Sequence, residues 1–105
     1  MLLTLPEIKV QLRIEPDFNE EDSLLNIIGE AVQKRTETYL NRKLYAGDIP
    51  ETDEDGLLFS EDIRLGMLLL VTHFYENRSS VSEVEKLELP LGYTWLVSPY
   101  RFIPL

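Results

Sequence analysis

Side chains that could hold a metal ion are concentrated in an acidic segment, residues 44–63, which contains no Lys or Arg. Five of its residues fall at positions 1, 3, 5, 6 and 12 of an EF-hand calcium loop: Glu51, Asp53, Asp55, Gly56 and Asp62. The first ligand is Glu and the last is Asp, which reverses the order that the loop geometry requires, and a proline stands where the entering helix should end. We therefore interpret the segment as a solvated acidic loop and predict no metal site.

His73 is the only histidine, and the chain contains no cysteine. A zinc site would need several carboxylates to converge on this single imidazole. No arrangement of nucleophile, base and orienting group is readable around it, and no glycine-rich phosphate loop is present. Among 19 acidic residues, a glycosidase-like pair could be nominated almost anywhere, so none is credible. We predict a packed or interface histidine in a protein that is not an enzyme and uses no cofactor.

Composition limits the classes that remain. A chain of 105 residues is expected to form one domain, residues 1–105. Its formal net charge of −9 and its ten scattered Lys and Arg residues argue against tight binding to nucleic acid. The first residues lack the basic and apolar regions of a signal peptide, and no apolar stretch approaches the ~20 residues of a membrane-spanning helix. A soluble, intracellular protein is expected.

Four helices are predicted to position these groups. The first begins at an N-cap Thr4, with Pro6 and a possible capping-box Glu7 in its first turn, and ends near Arg13. The second begins after Asn19 or Asp17 and runs to residues 42–43, with a three- and four-residue apolar repeat. Gly29 lies inside it and indicates a close helix crossing. Residues 44–63 should then form a loop, with a short extended piece at residues 57–59.

The third predicted helix, residues 60–78, is apolar around most of its circumference and organises the fold. Ser60 is its expected N-cap. The face predicted to pack inside consists of Ile63, Met67, Leu70, Val71 and Phe74. A loop or short extended segment at residues 84–89 follows, then a short helix with Pro90 in its first turn that Pro99 ends. Residues 100–105 should be an extended apolar tail that docks on another surface.

Three segments of the chain resemble the head–tail connector proteins of tailed double-stranded DNA phages, the small adaptors beneath the portal. Residues 3–15 and 18–42 look like the opening helix pair of that family. Residues 63–82 (IRLGMLLLVTHFYENRSSVS) look like its central helix and following turn, and residues 87–102 (LELPLGYTWLVSPYRF) like its terminal helix and tail. The most specific feature is HFYENR followed by LPLG and PYR. The acidic loop is the segment that the resemblance supports least.

The resemblance implies an all-α, four-helix structural protein of the virion that is assembled in the host cytoplasm. Such proteins form a ring, typically of about twelve copies, that extends the portal channel, seats a tail-side stopper or completion protein and helps retain packaged DNA. The apolar surplus of the chain then predicts a subunit or portal interface formed by Trp95, Tyr100, Arg101, Phe102, Ile103 and Leu105. Acids facing the channel would repel DNA as it passes, and the candidates are Asp53, Glu54 and Asp55.

Two other classes fit the composition. The first is a small acidic helical protein that mimics DNA and inhibits a basic host factor. The second is a helical regulatory or toxin–antitoxin component, although such a protein normally carries a basic recognition helix, and this sequence contains none. A tight dimer without affinity for a portal would favour these alternatives.

Overall fold

In the computed structural model, which describes residues 1–77 and 91–102, the chain is mostly helical, as predicted. The helices of this part of the chain are α1 (Leu5–Leu12), α2 (Asp22–Leu40), α3 (Glu61–Glu76) and α4 (Leu91–Val97), and a 3₁₀ turn (Ser98–Tyr100) follows α4. Two short strands, β1 (Leu44–Tyr45) and β2 (Leu57–Leu58), lie between α2 and α3. The predictions for residues 84–89 and Pro90 lie outside the described residues. The third helix was predicted to reach Arg78, which is wrong, because α3 ends at Glu76 and Asn77 is its C-cap.

The start of α1 follows the predicted capping pattern in part. Thr4 is the N-cap, and its hydroxyl accepts a hydrogen bond from the Glu7 backbone N–H at 3.4 Å. The Glu7 carboxylate pairs with Arg64 of α3, with both of its oxygens 2.7 Å from Nη1. The residue predicted to close the capping box therefore ties α1 to α3 instead.

The predicted caps of α2 are wrong. The helix begins at Asp22, and neither Asn19 nor Asp17 occupies the N-cap position, which is held by Glu21. The reason is Lys9, a buried lysine whose ammonium group needs several acceptors. Its Nζ lies 3.1 Å from the Asn19 side-chain oxygen, 3.2 Å from the Pro16 carbonyl oxygen and 2.9 Å from an Asp22 carboxylate oxygen. The Asn19 side chain therefore accepts a hydrogen bond from Lys9 and does not cap the helix.

The segment predicted as a loop contains a small parallel sheet. Leu44 pairs with Leu57 and Tyr45 with Leu58, and the extended piece expected at residues 57–59 is β2. Backbone N–H groups of Leu57 and Phe59 donate to the carbonyls of Lys43 and Tyr45, each at 2.9 Å. Strands of two residues carry no alternating pattern, which is why the sequence could not predict the pairing.

Helix α3 packs against α1, α2 and α4. Four of its five predicted inward residues, Ile63, Met67, Leu70 and Val71, are fully buried, and Phe74 is half-buried. Gly66 allows α4 to approach closely, because a Cβ atom there would lie 2.9 Å from Val97 Cγ1. Ser60 is at the N-cap, as predicted, but its hydroxyl donates to the Asp62 carboxylate and makes no capping bond.

The buried core joins all four helices. The close helix crossing predicted at Gly29 is with α1, because a Cβ atom added there would lie 3.2 Å from Ile8 and closer still to Met1. No helix among the described residues is both long enough and apolar enough to span a membrane. The core side chains that are less than one-tenth exposed are Leu3, Ile8, Leu25, Ile28, Val32, Leu40, Leu44, Ile63, Met67, Leu70, Val71, Tyr93 and Val97.

Candidate interaction surfaces

The predicted tail begins against the C-terminus of α2. A helix leaves its last four carbonyl groups without helical partners. In α2, the backbone N–H groups of Asn41 and Arg42 reach two of them, on Thr38 and Glu37. The other two belong to Tyr39 and Leu40, and they accept hydrogen bonds from Arg101 Nε at 3.0 Å and from the Phe102 backbone N–H at 2.8 Å. Arg101 and Phe102 therefore cap α2 within their own chain.

Tyr100 is not extended as predicted, because it closes the 3₁₀ turn that follows α4. Its hydroxyl donates to the Asp62 carboxylate at the start of α3. Hydrogen bonds from Ser60 and Tyr100 lower the pKa of Asp62, and the bond to this carboxylate raises the pKa of Tyr100. The turn is thereby attached to α3 as well as to α2.

Arg42 joins the tail to the acidic segment, a role that its position near a predicted helix end did not reveal. Its guanidinium donates to three backbone carbonyl oxygens, those of Asp55 at 2.8 Å, Gly56 at 3.3 Å and Tyr100 at 3.3 Å. Asn41 precedes it with a left-handed φ of 55° and ends α2, so Arg42 leaves the helix axis. An Asn followed by Arg at the end of an apolar repeat was the available signal.

The three acids predicted to face a channel lie in different surroundings. Asp53 is half-buried and accepts a hydrogen bond from the Tyr45 hydroxyl at 2.7 Å, which raises the pKa of Tyr45. Asp53 and Asp55 line one cleft together with the cations Lys34, Arg42 and Lys43. Glu54 is exposed. The cations in this cleft offset part of the negative charge that a DNA-repelling surface would need.

Trp95 is the most exposed of the large apolar side chains described, with 78% of its surface accessible. Its neighbours Tyr93 and Val97 point inward and are buried, and the Tyr93 hydroxyl lies 2.9 Å from the Thr36 hydroxyl of α2. Phe102 is 38% exposed. The structure therefore separates the predicted interface set into an exposed Trp95 on α4 and a tail start that packs on α2, whereas Ile103 and Leu105 lie outside the described residues. That these residues contact a neighbour stays a prediction.

His73 is half-buried in α3, with its ring in an edge-on arrangement 5.8 Å from the ring of Phe74. Its carbonyl oxygen accepts from the Asn77 side chain at 2.7 Å. Within residues 1–77 and 91–102, no group of three or more His, Asp or Glu side chains is placed to hold a metal ion. His73 Nε2 is buried and has no hydrogen-bond partner within the described part of the chain, so whether the side chain is packed or at an interface stays a prediction.

Comparison with known proteins gives one finding. A family model described as "Phage gp6-like head-tail connector protein" matches residues 2–101, a range that includes all the described helices, the acidic segment and the start of the tail. Neither the curated proteins nor the solved structures that were searched yielded a match.

Proposed function

The chain belongs to the phage gp6-like head–tail connector family, a structural family of the phage head–tail junction, and on this premise we propose that it forms a ring beneath the portal. Residues 1–105 act as one connector domain, and about twelve copies close the ring. The ring extends the DNA channel, seats a tail-side stopper or completion protein and completes the head after DNA packaging. It assembles in the host cytoplasm, and its partners are further copies of itself and the portal protein.

The observation that carries this proposal is the family match across residues 2–101, because it covers nearly the whole chain and not one motif. The surface of the fold agrees with it. Trp95 is 78% exposed, Val10 77% and Ile27 66%, which is a large apolar exposure for a small protein. Subunit contacts remove such side chains from water, and tryptophan is a frequent anchor of interfaces. The DNA-mimic alternative has no comparable support.

The acidic segment supplies the channel part of the proposal. Glu54 is exposed between Asp53 and Asp55. The Tyr45 hydroxyl donates to the Asp53 carboxylate, and the Arg42 guanidinium donates to the backbone carbonyl of Asp55. Carboxylates on the channel wall repel the phosphates of DNA and leave it free to slide. Because cations share a cleft with Asp53 and Asp55 and offset their charge, we expect this repulsion to come mainly from Glu54 and the outer part of the segment.

The direct test of the proposed function is binding to the portal protein of the same phage. The purified chain is mixed with assembled portal, and the product is weighed by native mass spectrometry and imaged by electron microscopy. A closed ring of copies on one end of the portal is expected. A monomer or two-fold dimer that never associates with the portal at any concentration would contradict the proposal.

A further inference from the structure

A cleft lies between the start of α3 and the surface of α4, and the exposed Trp95 is part of its wall. Its volume is about 570 Å³, within the range of ~300–1,000 Å³ that binding sites usually have. Asp62 lines it from α3. The other lining residues belong to α4 and the turn after it, and they are Thr94, Trp95, Leu96, Ser98 and Pro99. The cleft therefore combines an aromatic ring and a carboxylate.

Asp62 carries a negative charge that no cation within residues 1–77 and 91–102 neutralises through an ion pair. Its Oδ1 accepts hydrogen bonds from the Ser60 hydroxyl and, at 3.1 Å, from the Ile63 backbone N–H, and its Oδ2 accepts from the Tyr100 hydroxyl. All these donors are uncharged. A carboxylate oxygen has two lone pairs, so Oδ2 can accept a second hydrogen bond.

The other charges at this end of α3 are also mainly acidic. Glu61 comes directly before Asp62, and 89% of its side chain is exposed. Arg64 is the one Lys or Arg of α3, but its Nη1 lies 2.7 Å from the Glu7 carboxylate and its Nε 3.5 Å from that of Glu61. This arginine is thus shared between two acids and leaves Asp62 uncompensated.

The two arginines near the turn after α4 do not line the cleft. Arg42 donates to the backbone carbonyl of Tyr100, and Arg101 donates to that of Tyr39. The chain as a whole has a formal net charge of −9, which favours the approach of a positively charged partner. Charge complementarity therefore points to a cation as the group that fills the cleft.

We propose that this cleft binds an arginine side chain of a different protein, with the guanidinium stacked on the Trp95 indole and donating to the Asp62 carboxylate. Arginine fits better than lysine, because its planar guanidinium stacks on an aromatic face while its edge donates hydrogen bonds. The inference rests on the proposed function, which supplies the portal as the different protein, and it names the chemistry by which that partner is recognised.

The cleft can be tested without a partner protein. Trp95 is the only tryptophan of the chain, so its indole N–H gives one signal in a nitrogen–proton NMR spectrum. Acetyl-arginine amide, added at constant ionic strength, should shift this signal along a saturable curve. Acetyl-citrulline amide, which has a similar shape and no charge, should not. In Asp62→Asn, the dissociation constant for acetyl-arginine amide should rise about ten-fold, because a hydrogen bond to a charged group is lost.

Two further variants separate the charge of Asp62 from the structure around it. Glu61→Gln removes the same charge at the neighbouring exposed position, and Ser60→Ala removes one hydrogen bond to Asp62 but keeps its charge. Both should bind acetyl-arginine amide like the wild type, and circular dichroism checks that all variants fold. An equal shift with acetyl-citrulline amide, or unchanged binding in Asp62→Asn, would overturn the arginine site. Binding as weak in Ser60→Ala as in Asp62→Asn would also overturn it.

Binding to the portal of the same phage tests the source of the arginine. Asp62→Asn and Trp95→Ala should bind the assembled portal at least about ten-fold more weakly than the wild type and Glu61→Gln. If all four bind alike, or if the first two lose only the association among copies of the chain, the portal does not fill the cleft and the proposal is overturned. A wild type that never binds the portal would instead overturn the proposed function, and the NMR titration then decides on the arginine site by itself.

Discussion

The buried hydrogen bond between Thr36 and Tyr93 attaches α4, and with it Trp95, to α2. The two hydroxyl oxygens are 2.9 Å apart, and both residues are at most 1% exposed. Burial raises the pKa of Tyr93, so its hydroxyl stays protonated at neutral pH. Breaking this pair tests whether a specific bond, and not apolar contact alone, positions α4.

The two single substitutions should differ in cost. In Tyr93→Phe, the Thr36 hydroxyl can turn back to the carbonyl four residues earlier in α2, so the free energy of unfolding should fall by only about 1 kcal/mol. Thr36→Val leaves the Tyr93 hydroxyl buried without that alternative, and about 2–3 kcal/mol should be lost. The double variant leaves neither hydroxyl behind and should lose only about 1 kcal/mol.

Urea unfolding followed by circular dichroism measures the free energy of unfolding of the wild type, the two single variants and the double variant. Thermal melting provides a second measurement, with an expected shift in melting temperature of about 4 °C per kcal/mol for a chain of this size. A matched control is Thr38→Val, which changes an exposed threonine of the same helix. If the effects of the two single substitutions simply add in the double variant, the hydroxyls do not interact in solution and the reasoning about α4 is refuted.

Three further predictions concern the tail, acid stability and the acidic segment. Deleting residues 101–105 removes the two hydrogen bonds that Arg101 and Phe102 donate to the end of α2, and the melting temperature should fall by about 4–8 °C. Deleting only residues 103–105 keeps both bonds and is the control. Equal melting temperatures of the two truncated chains would show that Arg101 and Phe102 do not stabilise the fold. Hydrogen bonds lower the pKa of Asp62, so its ionised form stabilises the fold above the usual carboxyl pKa of about 4, and this stabilisation is lost as the pH falls through the lowered pKa. In Asp62→Asn, the melting temperature should therefore depend less on pH below about pH 4. An unchanged pH dependence would show that the hydrogen bonds to Asp62 do not stabilise the fold. Changing residues 53–55 to Asn or Gln should slow DNA ejection from assembled particles or change DNA retention. The same change at the exposed acids at positions 30, 61 and 76 is the control and should have no such effect. Identical behaviour of the two sets would show that the acidic segment does not face the channel.

The helices could be predicted from the sequence because their signals are periodic and local. Thr4 as a cap and the buried face from Ile63 to Val71 follow from spacing alone, and the structure confirms both. The start of α2 could not be predicted. Asn19 has the right residue type for a cap, but its partner is a lysine in another helix, and a contact between elements has no local signature.

The same limit explains the surfaces. Trp95 and the tail are both predicted to form an interface because both are apolar. The start of the tail, however, makes hydrogen bonds within its own chain. Two carbonyls at the end of α2 that lack helical partners accept hydrogen bonds from Arg101 and Phe102. Arg42 donates to the carbonyls of two consecutive residues, Asp55 and Gly56, and to that of the distant Tyr100. Backbone groups are identical in every residue, so the sequence could not indicate which side chain would satisfy them.

The proposed ring can be examined directly in a cryo-electron microscopy reconstruction of the chain bound to its portal. We expect a closed ring in which every copy contacts its neighbours and turns its acidic segment toward the channel. Isolated copies, or two-fold pairs that bury Trp95 against Trp95 and do not associate with the portal, would contradict it.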